Sequence, residues 1–152
     1  MKRFALSLTQ NYSVAEELAQ ETMLRGVKHR AKLAAMEDPR PWLFRVTVNL
    51  WKDRLRQQQR RPIKQVLSFD IPDQTQSPVG KIESEEQIAE VLELFQQLPD
   101  RQRDVLYLKV IEHHPLEDIG QILEMKPANV KTTLSLARKK MRQILRRGEV
   151  HE

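Results

Sequence analysis

The chain has 152 residues, of which 39% are apolar and 31% charged, with no cysteine and a formal net charge of +5. The lack of cysteine excludes disulfides and thiolate chemistry, and no stretch approaches the roughly 18 apolar residues of a membrane helix. Few glycines and aromatic residues, beside abundant Leu, Glu, Gln, Lys and Arg, predict an all-α protein. The N-terminus lacks an apolar run closed by small residues, so we expect a cytoplasmic protein.

The charge is unevenly distributed along the chain. Residues 1–62 contain 13 basic and 6 acidic side chains, whereas residues 85–152 contain 11 basic and 12 acidic ones. Within this nearly neutral part, the stretch from Lys126 to Arg147 contains eight basic residues and no acidic ones. Two separate cationic segments suggest binding to a polyanion at two places. A solvated basic face on an ordinary protein explains the composition equally well.

The first part of the chain predicts three helices. The first is short, from about Arg3 to Gln10, and the second begins at Ser13, which forms a capping-box spacing with Glu16. The second helix extends to about His29. It presents one narrow face suited to close packing, formed by Ala15, Leu18, Ala19, Thr22 and Gly26.

The third helix follows Pro39 and Pro41, whose fixed φ suits a helix start, and extends to about residue 60. Trp42 lies at the N-terminal end of a stripe of mostly basic residues on this helix. The stripe, called the basic stripe below, consists of Arg45, Asn49, Lys52, Arg56 and Arg60. Such a surface suits phosphates and unstacked bases. The alternative is a solvent-facing helix side with Trp42 in the core.

Residues 63–84 contain Pro72, Pro78 and Gly80 without sustained periodicity, which predicts an irregular linker. Four further helices are predicted over residues 85–98, 99–112, 116–123 and 127–147. The last two have the outline of a helix-turn-helix module, in which a short helix and a tight turn precede a longer basic helix.

The long helix has two distinct faces. Its inner face is formed by Val130, Leu134, Ala137, Met141 and Ile144. Its exposed side carries side chains that can contact base edges, and lysines and arginines that can contact phosphates. The first group is Ala128, Asn129, Thr132, Ser135, Leu136 and Lys139, and the second is Lys126, Lys131, Arg138 and Arg142. Met23, Met125 and Met141 fit core or core-edge positions.

Five segments carry a resemblance to a known family. They are AEELAQETMLRG (15–26), PRPWLFRVTVNLWKDRLR (39–56), LPDRQRDVLYLKVIE (98–112), LEDIGQIL (116–123) and NVKTTLSLARKKMR (129–142). The first two resemble the second conserved region of bacterial RNA polymerase sigma factors of the extracytoplasmic-function type. The other three resemble the fourth region of that family, and the order along the chain is the same.

The resemblance implies a sigma factor that binds core RNA polymerase and directs promoter-specific initiation. Residues 1–62 would bind the clamp of the polymerase and the minus-ten element, and residues 85–152 the flap and the minus-thirty-five element. An anti-sigma factor that masks both domains is a further expected partner. We expect no enzyme activity, metal or cofactor, because the sequence contains no recognisable catalytic or metal-binding motif.

Residue by residue, the resemblance implies three sets of contacts. The polymerase contacts are Glu17, Gln20 and Glu21. The minus-ten contacts are Arg40, Trp42, Arg45, Asn49, Lys52 and Arg56, with the loop 34–38 at the pocket for a flipped base. The minus-thirty-five contacts are Lys126, Asn129, Lys131, Thr132, Thr133 and Arg138.

Several positions depart from the family pattern. Met1 lies inside what would be the first helix, which leaves a short piece there. Glu124 replaces the usual turn glycine, at an expected cost of about 1 kcal/mol if φ is positive. Pro115 replaces a serine cap, and Thr133 and Leu136 occupy positions that are often arginine in the family.

Two alternatives remain open on the sequence alone. One is a stand-alone helix-turn-helix regulator that binds duplex DNA without polymerase, although the acidic ridge beside the basic stripe, formed by Glu17, Gln20 and Glu21, argues against it. The other is a truncated sigma-like chain that acts only as a protein-interaction module, which Met1 and Glu124 favour. Run-off transcription with core polymerase distinguishes all three hypotheses.

Overall fold

The computed structural model describes the backbone of residues 1–60 and 83–150, which form eight α-helices. These are α1 (Lys2–Thr9), α2 (Tyr12–Lys28), α3 (Arg30–Ala34), α4 (Arg40–Arg60), α5 (Glu83–Phe95), α6 (Asp100–Val110), α7 (Leu116–Leu123) and α8 (Pro127–Val150). The prediction of an all-α protein is confirmed. The chain divides into two compact units between Ser77 and Pro78, and the predicted linker lies almost entirely outside the described residues. None of the described helices is both long and apolar enough to cross a bilayer.

The first unit packs α1, α2 and α4 around a small apolar core. The rings of Phe4 and Phe44 meet edge-on, with their centroids 4.9 Å apart. Where α2 crosses α4, the buried hydroxyls of Thr22 and Thr47 form a 2.8 Å hydrogen bond. The predicted packing face of α2 is confirmed, because Ala15, Leu18, Ala19, Thr22 and Gly26 are all buried.

The predicted start of α2 was wrong by two residues. Asn11, not Ser13, is the N-cap, and its side-chain oxygen accepts a 3.0 Å hydrogen bond from the backbone N–H of Val14. Asn11 has the extended backbone conformation that a cap requires, whereas Ser13 already lies inside the helix and is exposed. The five-residue α3 was not predicted, since it is too short to show periodicity.

The second unit packs α7 and α8 against α6. Val105, Ile119, Val130 and Ala137 have no exposed surface. At the turn between α7 and α8, Glu124 has φ 58° and ψ 51°, so the condition for the expected cost of about 1 kcal/mol is met. The backbone N–H groups of Glu124 and Met125 both bond to the carbonyl of Gly120, which closes the turn.

Gly120 is required at this turn for reasons of space. A Cβ atom there would lie 2.7 Å from the carbonyl oxygen of Met125. At the other end of α7, the N-cap Pro115 makes no side-chain capping bond, as the sequence predicted. Glu117 and Asp118 in the first turn interact favourably with the helix dipole instead.

Candidate nucleic-acid interface

The basic stripe lies on a solvent-accessible side of α4. Arg45, Asn49 and Arg56 are exposed and Lys52 is partly exposed, whereas Phe44 on an adjoining face is buried. The helical rise places Arg45 about 16 Å from Arg56, which is the length of about five nucleotides of stacked strand. The side chain of Arg60 lies outside the described residues. The periodicity therefore predicted correctly which described side chains share this side.

Trp42 is partly buried at the N-terminal end of the stripe. Its ring lies 5.4 Å from the ring of His29, and the Nζ of Lys32 lies 5.8 Å from its centroid. The sequence left two alternatives for Trp42, an accessible ring beside the stripe or a ring in the core. The structure shows a partly buried ring that packs against the end of α2 and against α3. A cation near an indole ring stabilises this arrangement modestly.

The start of α4 adjoins the loop that the sequence predicted as the pocket for a flipped base. Arg40 is exposed, and its backbone N–H donates a 3.0 Å hydrogen bond to the Asp38 carboxylate. In the loop itself, residues 34, 35, 37 and 38 are exposed. These groups are therefore accessible to a ligand, and the pocket for a flipped base stays a prediction.

The acidic ridge on α2 is also exposed. Glu17, Gln20 and Glu21 share one side of the helix at i, i+3 and i+4. Glu17 forms a 2.7 Å ion pair with Arg54 of α4, and Glu21 forms a 3.4 Å ion pair with Arg25. Because these pairs are largely exposed, each contributes about 1 kcal/mol or less, so a cationic partner can displace them at little cost.

An apolar patch continues from this ridge. Met23, Leu24 and Val27 are 54%, 64% and 57% exposed. The prediction that Met23 lies at the core was wrong, because Thr22 and Gly26 occupy the buried side of α2 at that level. Beside the patch is a depression of about 380 Å³ lined by Glu21, Leu24, Arg25, Lys28 and His29. Sequence reasoning missed the patch because it assigns large apolar residues inward.

In the second unit, the predicted minus-thirty-five contacts are accessible on α8 and at its start. Asn129 and Thr132 are exposed on the outer side of the helix, Arg138 is exposed farther round it, Lys126 and Lys131 are exposed, and Thr133 is partly exposed. The inner side of the helix is formed by Val130, Leu134, Ala137 and Ile144, which are buried, and by Met141, which is partly buried. The predicted division of α8 into two faces is therefore confirmed.

A groove runs beside this outer face and collects cations from two helices. It has a volume of about 360 Å³. Its lining consists of Lys109, Leu116, Lys131, Leu134, Ser135, Arg138 and Arg142. Lys109, at the end of α6, was not predicted, because it is the single basic residue in its part of that helix. Four cations around one groove favour binding of an anionic chain.

The helix α6 carries a buried charged group that the sequence pattern did not predict. Arg103 is 3% exposed and lies 3.1 Å from Asp100 and 3.6 Å from Asp104. Burial raises the pKa of Asp104 to about 7, because desolvation outweighs the attraction of Arg103. Nearby, Arg101 donates a 3.2 Å hydrogen bond to the carbonyl of Leu123, the last residue of α7. The contact between Arg101 and Leu123 connects α6 to the helix-turn-helix module.

Comparison with known proteins gives two matching family models. The model described as Sigma-70 region 2 matches residues 1–61, and that described as Sigma-70, region 4 matches residues 88–141. The ECF RNA polymerase sigma factor SigM of Bacillus subtilis is 30% identical over 152 residues, covering 96% of this chain and 88% of SigM. The probable RNA polymerase sigma factor RfaY of Xanthomonas campestris is also 30% identical, over 145 residues, but this chain spans only 36% of its length.

A solved structure has the same fold. It is the sigma factor RpoE of Bartonella quintana, in complex with the anti-sigma factor NepR. The TM-score is 0.73 at 19% identity, covering 95% of this chain and 89% of that one.

A helical unit that matches region 2, followed by one that matches region 4 and contains a helix-turn-helix, defines a two-domain transcription factor of the sigma-70 type. The chain belongs to the extracytoplasmic-function (ECF) RNA polymerase sigma factors, and it directs transcription initiation by RNA polymerase.

Proposed function

We propose that this sigma factor divides promoter recognition and polymerase binding between three surfaces. The basic stripe and Trp42 of α4, with Arg40, contact the minus-ten element. The outer face of α8 contacts the minus-thirty-five element, and the acidic ridge of α2 binds the polymerase clamp. The functional domains are residues 1–62 and 85–152, joined by the linker 63–84. The chain itself carries no catalytic activity.

One observation supports this proposal above the others. Each unit exposes its own cationic surface, and the first unit also exposes a carboxylate ridge that a DNA-binding surface does not need. Carboxylates repel the phosphates of DNA but complement a basic protein surface. The alternative of a stand-alone DNA-binding regulator leaves the ridge without a role. Since RpoE of Bartonella quintana was solved with the anti-sigma factor NepR, we also propose that an anti-sigma factor binds this chain.

Run-off transcription with purified core polymerase tests the basic stripe. We expect the triple variant Asn49→Ala, Lys52→Ala, Arg56→Ala to reduce promoter-dependent transcripts at least about tenfold, because three contacts to the opened strand are lost. Its co-purification with core polymerase should remain normal. The control variant Gln57→Ala, Gln58→Ala changes exposed polar residues of the same helix outside the stripe. Unchanged initiation by the triple variant would show that the stripe is not the minus-ten surface.

Polymerase binding tests the acidic ridge separately. The variant Glu17→Gln, Glu21→Gln should weaken binding to core polymerase several-fold, since two carboxylates facing a cationic partner are neutralised. The control Glu90→Gln, Glu93→Gln removes the same charge from exposed residues of α5. Equal binding by both variants would remove the ridge from the proposal. Polymerase binding without any promoter-dependent transcript would instead support the interaction-module alternative.

A further inference from the structure

Leu136 is an unusual side chain on the outer face of α8. It is 50% exposed, and it shares that face with Asn129 and Thr132. Its neighbours at i±3 and i±4 are Thr132, Thr133, Lys139 and Lys140, which present hydroxyl and ammonium groups. An apolar side chain is therefore surrounded by groups that suit a nucleic acid rather than by other apolar residues.

The exposed leucines of α8 do not form a protein-docking patch along the helix. Leu145 is 49% exposed, but it follows Leu136 by nine residues. Nine residues correspond to two and a half helical turns, so the two side chains lie on opposite sides of α8 and about 13 Å apart along its axis. The two leucines therefore form no common surface. Leu136 is the one that lies beside the predicted base-contacting residues.

The charges around Leu136 favour DNA as its partner. Lys139 and Lys140 follow Leu136 by one turn, one on either side of it, while Lys131 and Arg138 line a groove farther round the helix. These cations attract phosphates to the part of α8 that carries the leucine. In a major groove, the group that an aliphatic side chain contacts favourably is the C5 methyl of thymine.

We propose that Leu136 contacts the methyl group of one thymine in the minus-thirty-five element and makes that base pair a specificity determinant. This inference rests on the proposed function of α8. Asn129 and Leu136 are separated by about 10 Å along the helix, which corresponds to about three base-pair steps. The two residues therefore contact different base pairs, and Leu136 adds thymine selectivity at a position where arginine would contact guanine or phosphate.

The test first identifies the element and then removes single methyl groups. Holoenzyme made from the full chain and core polymerase is used to select bound duplexes from a library randomised over the minus-thirty-five region. Each thymine of the selected element, on either strand, is then replaced by deoxyuridine, which lacks only the methyl group. We expect one replacement to weaken binding about fourfold, the effect of removing one buried methyl.

The variant Leu136→Ala assigns this effect to the side chain. It should weaken binding to the thymine duplex by a similar factor and show no difference between thymine and deoxyuridine at that position. The control Leu145→Ala removes the same atoms from an equally exposed leucine of the same helix and should keep the full difference.

Two results would overturn the inference while leaving the proposed function intact. One is that no deoxyuridine replacement changes the affinity. The other is that Leu136→Ala keeps the thymine preference whereas Thr132→Ser, which removes the threonine methyl, abolishes it. If the holoenzyme selects no sequence in this region at all, the proposed function of α8 fails instead.

Discussion

The two units bring their helices together by different kinds of contact. In the first unit, a Cβ atom at Gly26 would meet the Cδ2 atom of Leu43 at 3.3 Å, which is the end of a flexible side chain. In the second unit, a Cβ atom at Gly120 would meet the backbone oxygen of Met125 at 2.7 Å. Side chains can adjust by rotation, whereas a backbone turn cannot. The position of α8 relative to α7 is therefore more rigidly determined than the approach of α2 to α4.

The units also distribute charge differently. In the first unit, ion pairs join α1 to α2, through Lys2 and Glu16, and α2 to α4, through Glu17 and Arg54, so acids and bases share the surface. In the second unit, α8 has no acidic residue from Pro127 to Arg147. Under the proposed function, a partner of the first unit would exchange existing pairs, whereas DNA binding to α8 would release counterions directly. We therefore expect binding by α8 to be the more sensitive of the two to salt.

The largest effect should come from alanine at Gly120, with alanine at Gly26 as the comparison. Gly120→Ala is expected to destabilise the second unit by about 3 kcal/mol, because overpacking against a carbonyl exceeds the gain in helix propensity. Gly26→Ala should change stability by less than about 1 kcal/mol, since Leu43 can move. Both tryptophans lie in the first unit, so urea unfolding followed by tryptophan fluorescence reports on that unit and far-ultraviolet circular dichroism on both. A shift of the fluorescence transition by Gly120→Ala would show that the two units unfold together.

A buried carboxyl gives the second unit a pH dependence. Asp104 has a pKa of about 7 in the folded chain against 3.8 when unperturbed. The native state thus binds more protons than the unfolded state between these values, so stability falls as pH rises from about 4 to 7 and stays low above. Asp104→Asn should abolish this fall and stabilise the second unit at pH 8 by an amount on the order of 2 kcal/mol. A variant with the same pH dependence as the parent chain, in circular dichroism melts, would refute this assignment.

Each unit contains a residue with left-handed backbone conformation at the end of a helix, so the two units can be compared at matched positions. Gln10 has φ 56° at the end of α1, and Glu124 has φ 58° at the end of α7. Glycine adopts this conformation without strain, so Gln10→Gly and Glu124→Gly should each stabilise its own unit by about 1 kcal/mol. The same unfolding experiments measure both changes. A gain at only one position would show that the strain is relieved locally at the other.

The smallest effect is expected at the ion pair between α2 and α4. Glu17→Gln should change the stability of the first unit by less than about 0.5 kcal/mol, because the Glu17 side chain is 61% exposed. The tryptophan-fluorescence transition measures this change, with and without 1 M salt. A loss above 1 kcal/mol would mean that the pair is structural and that a polymerase surface could not displace it cheaply.

The sequence predicted the long helices because each presents a continuous apolar face at helical spacing. It also predicted the exposure of the basic stripe and of the outer face of α8, which follows from the same periodicity. The roles of these residues remain predictions, since they depend on partners. By contrast, α3 is too short to show a helical period. The N-cap of α2 was predicted wrongly because Asn11 and Ser13 are both good capping residues. The burial of Arg103 and Asp104 arises from packing between helices, which a helical pattern does not contain.

The fixed turn between α7 and α8 has a consequence for how this molecule could be altered. The residues that hold α8 in place, such as Val130, Leu134 and Ala137, are not those that face outward. If α8 recognises the promoter as proposed, randomising Asn129, Thr132 and Leu136 would diversify promoter choice on an unchanged scaffold. Variants with mutually orthogonal promoters could be selected from one such library without repeated optimisation of folding.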